Sequence, residues 1–413
     1  MDSTRPRARW KSMIIGNGFV RKDGRKGIRN RVVVANLVKC SSHIAHEIAK
    51  DAGDDVHEIS FNGCYPNEHA NRMMRQLCTH PNVGGVIIVS LGCESFPRDS
   101  LYAAVKSSGR PVEMIVVQES GGTASSVAKG RAALSAMLEE IRQTPRAPMH
   151  LDELVVGTVC GGSDATSGVT ANPAVGLFFD RFIAEGGTGV FEETGELIGC
   201  EETMRQRSVT PALGEAVVES VHKAARYYTI MGHGSFAPGN AEGGLTTQEE
   251  KSMGAYAKSG SCAISGIIKP GQIPAGKGLY LLDVVPDGEP RFGFPNLNDV
   301  TEILEMAACG CHLMLYTTGR GSVAGSAIIP TIKVCANPLT YRNLSNDMDV
   351  DAGRVLEGRG TLQEVGNEIF ERVVAVAGGK PSKPEALGHR EFDLPYKYFD
   401  VDEDTCANQC ACS

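Results

Sequence analysis

The 413-residue sequence predicts an α/β fold of two packed units, each with a mainly parallel sheet and glycine-rich loops at the carboxyl ends of its strands. Three observations lead to this prediction. Short runs rich in β-branched residues alternate with amphipathic stretches, as in parallel strands joined by crossover helices. The chain is longer than one hydrophobic core usually serves. Its 48 glycines cluster directly after the apolar runs, where the backbone can approach a ligand closely.

The first unit is expected to span residues 13–148. Its apolar runs predict three strands, at Arg31–Val38, Gly85–Leu91 and Val112–Gln118. Amphipathic stretches predict four helices, at Ser41–Asp51, Asn67–Thr79, Pro97–Ser107 and Thr123–Arg142. Residues 1–12 are basic but lack the apolar stretch of a signal peptide, so we expect a disordered leader. Thr144–Leu151, with two prolines, is the predicted linker.

The second unit is expected to span residues 149–394 and to be the catalytic one. Its predicted strands are Glu153–Cys160, Leu279–Val285, His312–Thr318 and Thr331–Val334. Its predicted helical regions are Thr194–Tyr228, Asn298–Cys309 and Thr361–Ala377. Asn172-Pro173 resembles an N-cap followed by a first-turn proline, and Thr247 with Glu250 fits a capping box. The tail, residues 395–413, carries Cys406, Cys410 and Cys412, which either bind metal or are merely exposed.

Composition excludes several classes of function. The formal charge of -8 argues against nucleic-acid binding, which needs a basic face. No apolar run approaches the roughly 20 residues that a membrane-spanning helix requires. Thirteen cysteines without a secretion signal indicate reduced thiols or metal ligands, and a cytoplasmic protein.

Four cysteines lie at strand ends or in turns: Cys40, Cys64, Cys93 and Cys160. In open α/β sheets the ligand crevice lies at the carboxyl ends of the strands. Thiolates favour iron, zinc or an iron–sulfur cluster. The alternative is that these cysteines are only small buried residues, because no C-x-x-C pair occurs among them.

Three glycine loops offer polar groups to a ligand. The loop Cys160–Pro173 contains Ser163, Asp164 and Asn172, and ends at a helix start that suits an anion. The loop from Pro238 carries Asn240 and Thr247 and ends at Lys251, which is either a solvated helix residue or the partner of a substrate carboxylate. The loop after Tyr316 carries Arg320, either a surface arginine or a bidentate fork for a carboxylate or sulfonate. His233, between two glycines, is either a base or a plain loop histidine.

Together these segments resemble the altronate/galactarate dehydratase family, in the family's order and over nearly the whole chain. The matching segments are Arg21–Asn30 (RKDGRKGIRN), His80–Glu94 (HPNVGGVIIVSLGCE), Cys160–Pro173 (CGGSDATSGVTANP), Pro238–Gly254 (PGNAEGGLTTQEEKSMG), Tyr316–Gly321, Pro330–Val334 and Asp349–Gly353.

The resemblance implies metal-assisted elimination from a 2-hydroxy acid, with Fe²⁺ expected and Mn²⁺ or an iron–sulfur cluster as alternatives. It also implies that the four strand-end cysteines belong to the site, and with Glu94 they form our predicted metal ligands. The predicted catalytic residues are Lys251, His233 and Asp164. The predicted substrate-binding residues are Ser163, Asn172, Asn240, Thr247, Arg320 and Lys333.

Two departures from the family refine this expectation. Single-chain members carry a small β-rich domain ahead of this region, which Met1–Lys11 cannot hold, so we expect a separate small β-rich subunit and a homo-oligomer. Three segments, Asn62–Glu68, Arg291–Asn298 and Gly321–Asn337, are more similar to the sulfolactate-cleaving branch of the family than to its sugar-acid dehydratases. The expected reaction is cleavage of (2R)-sulfolactate to pyruvate and sulfite. The alternatives are a sugar-acid dehydratase, a non-catalytic scaffold subunit and a redox enzyme with an iron–sulfur cluster.

Overall fold

A computed structural model describes residues 13–232, 238–287 and 298–397 of the chain. The α/β prediction is confirmed: the described residues form helices around two parallel sheets and a small antiparallel one. The strands are β1 (Ile14–Val20), β2 (Lys26–Gly27), β3 (Arg31–Asn36), β4 (Val56–Ser60), β5 (Val83–Ser90), β6 (Val112–Val116), β7 (Arg146–His150), β8 (Val155–Cys160), β9 (Thr188–Glu192), β10 (Ile264–Ile268), β11 (Gly278–Leu282), β12 (Leu313–Thr318), β13 (Thr331–Cys335) and β14 (Val350–Asp351).

The helices lie on the faces of these sheets. They are α1 (Ser42–Ala49), α2 (Glu68–Cys78), α3 (Arg98–Ser107), α4 (Gly122–Ile141), α5 (Ala171–Ala184), α6 (Glu201–Arg207), α7 (Pro211–Met231), α8 (Pro238–Glu242), α9 (Gln248–Ala257), α10 (Asp299–Ala308), α11 (Pro338–Asn343), α12 (Leu362–Ala377) and α13 (Lys383–Ala386). Among the described helices none is both long enough and apolar enough to cross a bilayer.

The first unit is built on a four-stranded parallel sheet in the order β4-β3-β5-β6. Strands β3 and β5 are buried along their whole length, which explains why they appear in the sequence as unbroken apolar runs. Helices α1 and α4 cover one face, where an aliphatic core is formed by residues such as Val34, Ile48 and Met137. Because β3, β4 and β5 are parallel, the loops that follow them lie at the same edge of the sheet.

The second unit is built on a seven-stranded parallel sheet in the order β10-β11-β9-β8-β12-β13-β14. One face packs on α5 and α12. There the Phe178 ring stacks on Phe182, meets Phe179 edge-on and lies tilted against Phe370. The central strands β8 and β9 are neighbours in register, with Val156 opposite Gly189 and Thr158 opposite Phe191. Their carboxyl ends consequently present adjacent residues at the same sheet edge.

The predicted linker, Thr144–Leu151, contains a strand. Residues Arg146–His150 form β7, which pairs antiparallel with β1 from the start of the first unit. This pairing holds the segment between the two units against the first unit. The two prolines therefore belong to an edge strand and its start, and not to an unpaired linker.

The junction between the two units is buried and contains both hydrogen bonds and apolar contacts. The His80 ring accepts a hydrogen bond from the Asn82 backbone N–H at 3.0 Å, and its other nitrogen lies 3.0 Å from the Cys311 carbonyl. The Asn82 amide donates to the His312 carbonyl at 2.9 Å. A single apolar cluster contains Phe61 and Met73 of the first unit and Met314 of the second. The two units thus share part of one core.

One detail of the predicted second unit is corrected by the structure, and another is confirmed. Asn172 is not an N-cap, because α5 already begins at Ala171 with Thr170 as its cap residue. The side chain of Asn172 is instead buried, where it donates to the Gly254 carbonyl at 3.0 Å and accepts from the Thr317 hydroxyl at 2.7 Å. The predicted capping box at Thr247 and Glu250 is confirmed.

Candidate active site

A thiol and two carboxyl groups meet where β8 and β9 end. Cys160 is the last residue of β8, Glu193 follows β9 directly, and Glu196 lies in the 3₁₀ turn after it. The Cys160 Sγ lies 3.5 Å from Oε2 of Glu193 and 3.6 Å from Oε2 of Glu196. Cys160 and Glu193 are 5% and 3% exposed, so these groups interact in a dry pocket where charge effects are strong.

Two lysines, one within α9 and one at its C-cap, contact this group from the other side. Nζ of Lys251 lies 3.1 Å from the Cys160 sulfur and 2.5 Å from Oε2 of Glu196. Lys258, fully buried at the end of the helix, forms an ion pair with Oε1 of Glu193. Each carboxyl group thus has its own lysine. We call these five residues the Cys160 cluster.

The sequence brings α9 close enough for these contacts by two devices. The capping box at Thr247 fixes the start of the helix and hence the direction in which Lys251 points. Gly254 and Gly168 then meet backbone to backbone: a Cβ added to Gly254 would lie 3.1 Å from the Gly168 Cα atom. A larger residue at either position would push the helix away from the loop that follows Cys160.

Burial and mutual charge determine the protonation of the cluster. Burial, reinforced by Glu193, raises the pKa of the Cys160 thiol to about 11. Burial also raises the pKa of Glu193, but Lys258, the hydrogen bond from Glu196 and Lys251 outweigh it and lower that pKa to about 2. Burial and the Glu193 charge hold the pKa of Glu196 well above its usual value. Glu193 is therefore the more acidic member of this pair of carboxyl groups.

The cluster has the chemistry of a divalent metal site. One sulfur and two carboxylate oxygens, from Cys160, Glu193 and Glu196, all lie within 4.8 Å of one another. A mixed sulfur and oxygen donor set suits iron(II) or zinc better than magnesium. The residues present thus fit the predicted cation, with one of the predicted ligands, Cys160, in the set.

Ser163 and Asp164, in the loop after Cys160, have different environments. The Ser163 hydroxyl lies 3.2 Å from the Cys160 sulfur and 3.2 Å from Nζ of Lys251, so Ser163 borders the cluster. The Asp164 carboxylate accepts hydrogen bonds from Thr166 through one oxygen and from Asn337 through the other, at 2.9 Å. Those contacts organise the loop. The catalytic role of Asp164 stays a prediction.

Arg320 lies beside the same loop, but its guanidinium is already engaged. Its backbone N–H donates to the Gly162 carbonyl at 2.7 Å, which ties the third glycine loop to the first. Its side chain donates to the Gly239 carbonyl and lies 3.3 Å from the Glu242 carboxylate of α8. Arg320 is 43% exposed, so a ligand could still reach it.

Asn240 is buried in α8, and the hydroxyl of Thr247 is used in the helix cap. Lys333, the remaining predicted substrate contact, stays a prediction. It is fully buried on β13, with Nζ 3.4 Å from the centre of the Tyr316 ring, and no hydrogen-bond partner for it exists among the described residues. Burial lowers the pKa of Lys333 to about 7, as expected for an ammonium without polar partners.

The other predicted metal ligands lie elsewhere in the structure. Three of them, Cys40, Cys64 and Cys93, are exposed on the loops after β3, β4 and β5, at the carboxyl edge of the four-stranded parallel sheet. Within the part of the chain that is described, they form no compact group of metal-ligating atoms with Cys160. The carboxylate of Glu94 accepts from the Ser90 hydroxyl and the Gly92 N–H, which holds its own loop. His233 and the tail cysteines lie outside the described residues.

Glu193, Glu196 and Lys258 are missing from the predicted site. The sequence reasoning predicts no strand at Thr188–Glu192, although its Thr-Gly-Val-Phe run is apolar and is followed directly by two acids. A metal-ligating residue directly after an apolar run is the signal that singled out Cys160. Lys258 has no comparable local signal, because its burial depends on the packing of α9.

A buried thiol, paired carboxyl groups and two lysines at the carboxyl edge of a parallel sheet define an enzyme site. The family profile described as "D-galactarate/Altronate dehydratase, C-terminal" matches residues 151–399, and the one described as "D-galactarate dehydratase/Altronate hydrolase, second domain" matches residues 18–142. The chain belongs to the D-galactarate/altronate dehydratase family, and it is a lyase.

Curated relatives agree with this assignment. The chain is 32% identical to the (2R)-sulfolactate sulfo-lyase subunit beta of Chromohalobacter salexigens, over 92% of this chain and 97% of that protein. It is 31% identical to the altronate dehydratase of Bacillus subtilis, over 91% of this chain and 76% of that protein. It is also 31% identical to the L-threo-forming galactarate dehydratase of Escherichia coli, over 75% of this chain and 59% of that protein.

Proposed function

We propose that the chain eliminates a leaving group from C3 of a 2-hydroxy acid, with (2R)-sulfolactate as the substrate and pyruvate and sulfite as the products. The observation that carries the proposal is the Cys160 cluster, which combines metal-ligating groups with two buried ammonium groups. Such a site suits a small, strongly anionic substrate whose negative charge increases during the reaction.

The reaction needs few groups from the protein. A base removes the proton on C2, and the electrons of that C–H bond form the C2–C3 double bond. The C3–S bond breaks, and its electron pair leaves with sulfite. The enol then loses its hydroxyl proton and gains a proton at C3, which gives the 2-keto acid. His233 remains our proposed base.

Lys251 and Ser163 are the groups positioned for this chemistry. Although burial opposes the charged form, Cys160 and Glu196 hold the pKa of Lys251 well above its usual value, so Lys251 is an ammonium. It would neutralise the substrate carboxylate or the enolate oxygen, and the Ser163 hydroxyl beside it would orient the same group. Iron(II), or manganese(II), held by Cys160, Glu193 and Glu196 would supply Lewis-acid polarisation of the hydroxyl and carboxylate oxygens.

The choice of sulfolactate is supported by three segments of the sequence and by Arg320. The similarity of the chain to a sulfolactate sulfo-lyase subunit extends over 97% of that subunit. The guanidinium of Arg320, on its glycine loop beside the loop that follows Cys160, is the candidate fork for the sulfonate. By the same similarity to a subunit beta, we propose that a second, small subunit completes the enzyme.

A sugar-acid dehydratase is the second candidate, and one observation favours it. The Arg320 side chain already contacts the Gly239 carbonyl and Glu242, so a sulfonate would have to compete with that carboxylate. A neutral polyhydroxy chain would not need to displace Glu242 from Arg320.

An assay on both substrate classes tests the proposal. The chain would be purified anaerobically with iron(II), alone and with the product of a neighbouring gene, and supplied with (2R)-sulfolactate, altronate or galactarate. Release of sulfite and pyruvate in equal amounts from sulfolactate is the expected result. A 2-keto-3-deoxy acid formed from altronate, with no sulfite from sulfolactate, would replace the first proposal with the second.

A further inference from the structure

We propose that Lys251 and Lys258 have opposite functions at the metal site: Lys251 occupies the place of the ion in the metal-free protein, whereas Lys258 holds a ligand in position for it. This inference rests on the metal-binding part of the proposed function and does not depend on which substrate is used. It follows from which atoms of the Cys160 cluster each lysine contacts.

Lys251 contacts the ligand atoms themselves. Its Nζ lies 2.5 Å from Oε2 of Glu196 and 3.1 Å from the sulfur of Cys160. The same sulfur lies 3.6 Å from that same oxygen, so the ammonium is bound between two of the three donor atoms. An ammonium group there balances the negative charge of the buried acidic side chains when no metal is bound.

Lys258 contacts the other oxygen of Glu193, not the one beside the Cys160 sulfur. It pairs with Oε1 of Glu193, and the backbone N–H of Cys160 donates to that same oxygen at 2.6 Å. These two bonds fix the carboxylate so that its other oxygen, Oε2, faces the Cys160 sulfur at 3.5 Å. Lys258 can therefore remain in place when an ion binds, as an outer partner that orients the ligand.

A divalent ion and the Lys251 ammonium cannot share the pocket. Both would lie within bonding distance of the same sulfur and oxygen, and their repulsion in a dry site would be large. The ion must therefore displace Lys251. The freed ammonium then becomes available to an anionic substrate, which couples metal binding to the formation of the substrate site.

The two lysines make a matched pair for a test. They carry the same charge, lie seven residues apart, one within α9 and one at its C-cap, and are 3% and 0% exposed. Metal-free wild type, Lys251→Met and Lys258→Met would each be titrated with Co²⁺, a substitute for iron(II) whose thiolate charge-transfer band in the ultraviolet reports ligation by cysteine. We expect Co²⁺ to bind Lys251→Met about tenfold or more tightly than wild type, and Lys258→Met about tenfold or more weakly.

The decisive result is that the two substitutions change the affinity for Co²⁺ in opposite directions. If only the loss of a positive charge mattered, both substitutions would tighten Co²⁺ binding, and that outcome would overturn the proposal. Weakened or unchanged binding by Lys251→Met, or a wild type without the thiolate band, would also overturn it.

Folding and function are checked separately. Circular dichroism spectra and thermal melts would verify that each variant folds. Lys251→Gln and Lys258→Gln, which keep a hydrogen-bond donor, replace any methionine variant that does not fold and must show the same opposite signs. If the two substitutions change Co²⁺ affinity in opposite directions but the protein cleaves neither sulfolactate nor altronate, this inference stands and the proposed function is wrong. If the protein turns over either substrate but the two affinity changes are not opposite, the proposed function stands and this inference is wrong.

Discussion

Acid should destabilise this protein at the junction of its two units, where His80 and His312 are buried together. The His312 ring accepts from the Val155 N–H at 3.0 Å, and its other nitrogen lies 3.0 Å from the Lys26 carbonyl. Like His80, it thus has one N–H donor and one carbonyl as partners, which only a neutral imidazole satisfies. Burial lowers the pKa of His312 to about 4 and that of His80 well below its usual value.

The sign and size of the effect follow from linkage. Between about pH 6.5 and pH 4 the unfolded chain binds protons at both rings and the folded chain does not, so stability falls as pH falls through this window. At pH 5 each unfolded imidazole gains about 2 kcal/mol from protonation that the folded one forgoes. The pair should therefore remove about 4 kcal/mol of stability between pH 7.5 and pH 5, a large share of the net stability of an ordinary protein.

Urea unfolding at the two pH values measures this loss. The double variant His80→Gln with His312→Gln should lose about 4 kcal/mol less than wild type on acidification, although it starts from a lower stability. His43→Gln changes an exposed histidine of α1 and serves as the control. Equal losses in the double variant and the wild type would refute the argument that these two rings are neutral in the folded protein.

Three further predictions concern the site and its surroundings. Cys160→Ser should retain the fold by circular dichroism but lose bound iron and activity, because a hydroxyl is a far poorer iron ligand than a thiolate; full metal content would contradict the assignment. Arg320→Met should lower kcat/KM for sulfolactate about 30-fold, which corresponds to about 2 kcal/mol of transition-state stabilisation, the scale of a charged hydrogen bond. Any turnover of altronate should stay nearly unchanged, and equal losses on both substrates would exclude Arg320 as the sulfonate-binding residue. Lys397→Met should lower the free energy of unfolding by about 3 kcal/mol or more, because Lys397 is 2% exposed and pairs with the equally buried Glu305 at 2.5 Å. Adding Glu305→Gln should recover part of that loss in the same thermal melt, and no recovery would mean that Lys397 acts by packing alone.

The sequence predicts the parts of the fold that are locally encoded. β5 and β8 are recognisable because fully buried strands appear as continuous apolar runs, and the start of α9 because Thr247 and Glu250 satisfy each other within one turn. β9 is not predicted because its continuous apolar stretch is only Val190-Phe191, between a threonine–glycine pair and two acids. With β9, the carboxylate of Glu193 was missed.

The candidate site is predictable only where chemistry and local pattern coincide. Cys160, Ser163 and Lys251 follow strand and helix signals, and the structure brings all three together. Cys40 and Cys93 carry the same strand-end signal as Cys160 but follow strands of the other sheet. Which sheet a strand joins depends on long-range pairing, and single-strand patterns do not contain that information.

The shared core at the junction has a practical consequence for anyone who wishes to divide this protein. Two family profiles match the chain on either side of residues 143–150, and that stretch invites a cut. A fragment that begins there would lose the partner strand of β7 and uncover the apolar surface that Phe61 and Met73 protect. It would also leave the His312 carbonyl without the Asn82 amide. Such a fragment should aggregate when expressed alone, and swapping one half between relatives should succeed only if the contact residues of the other half are exchanged with it.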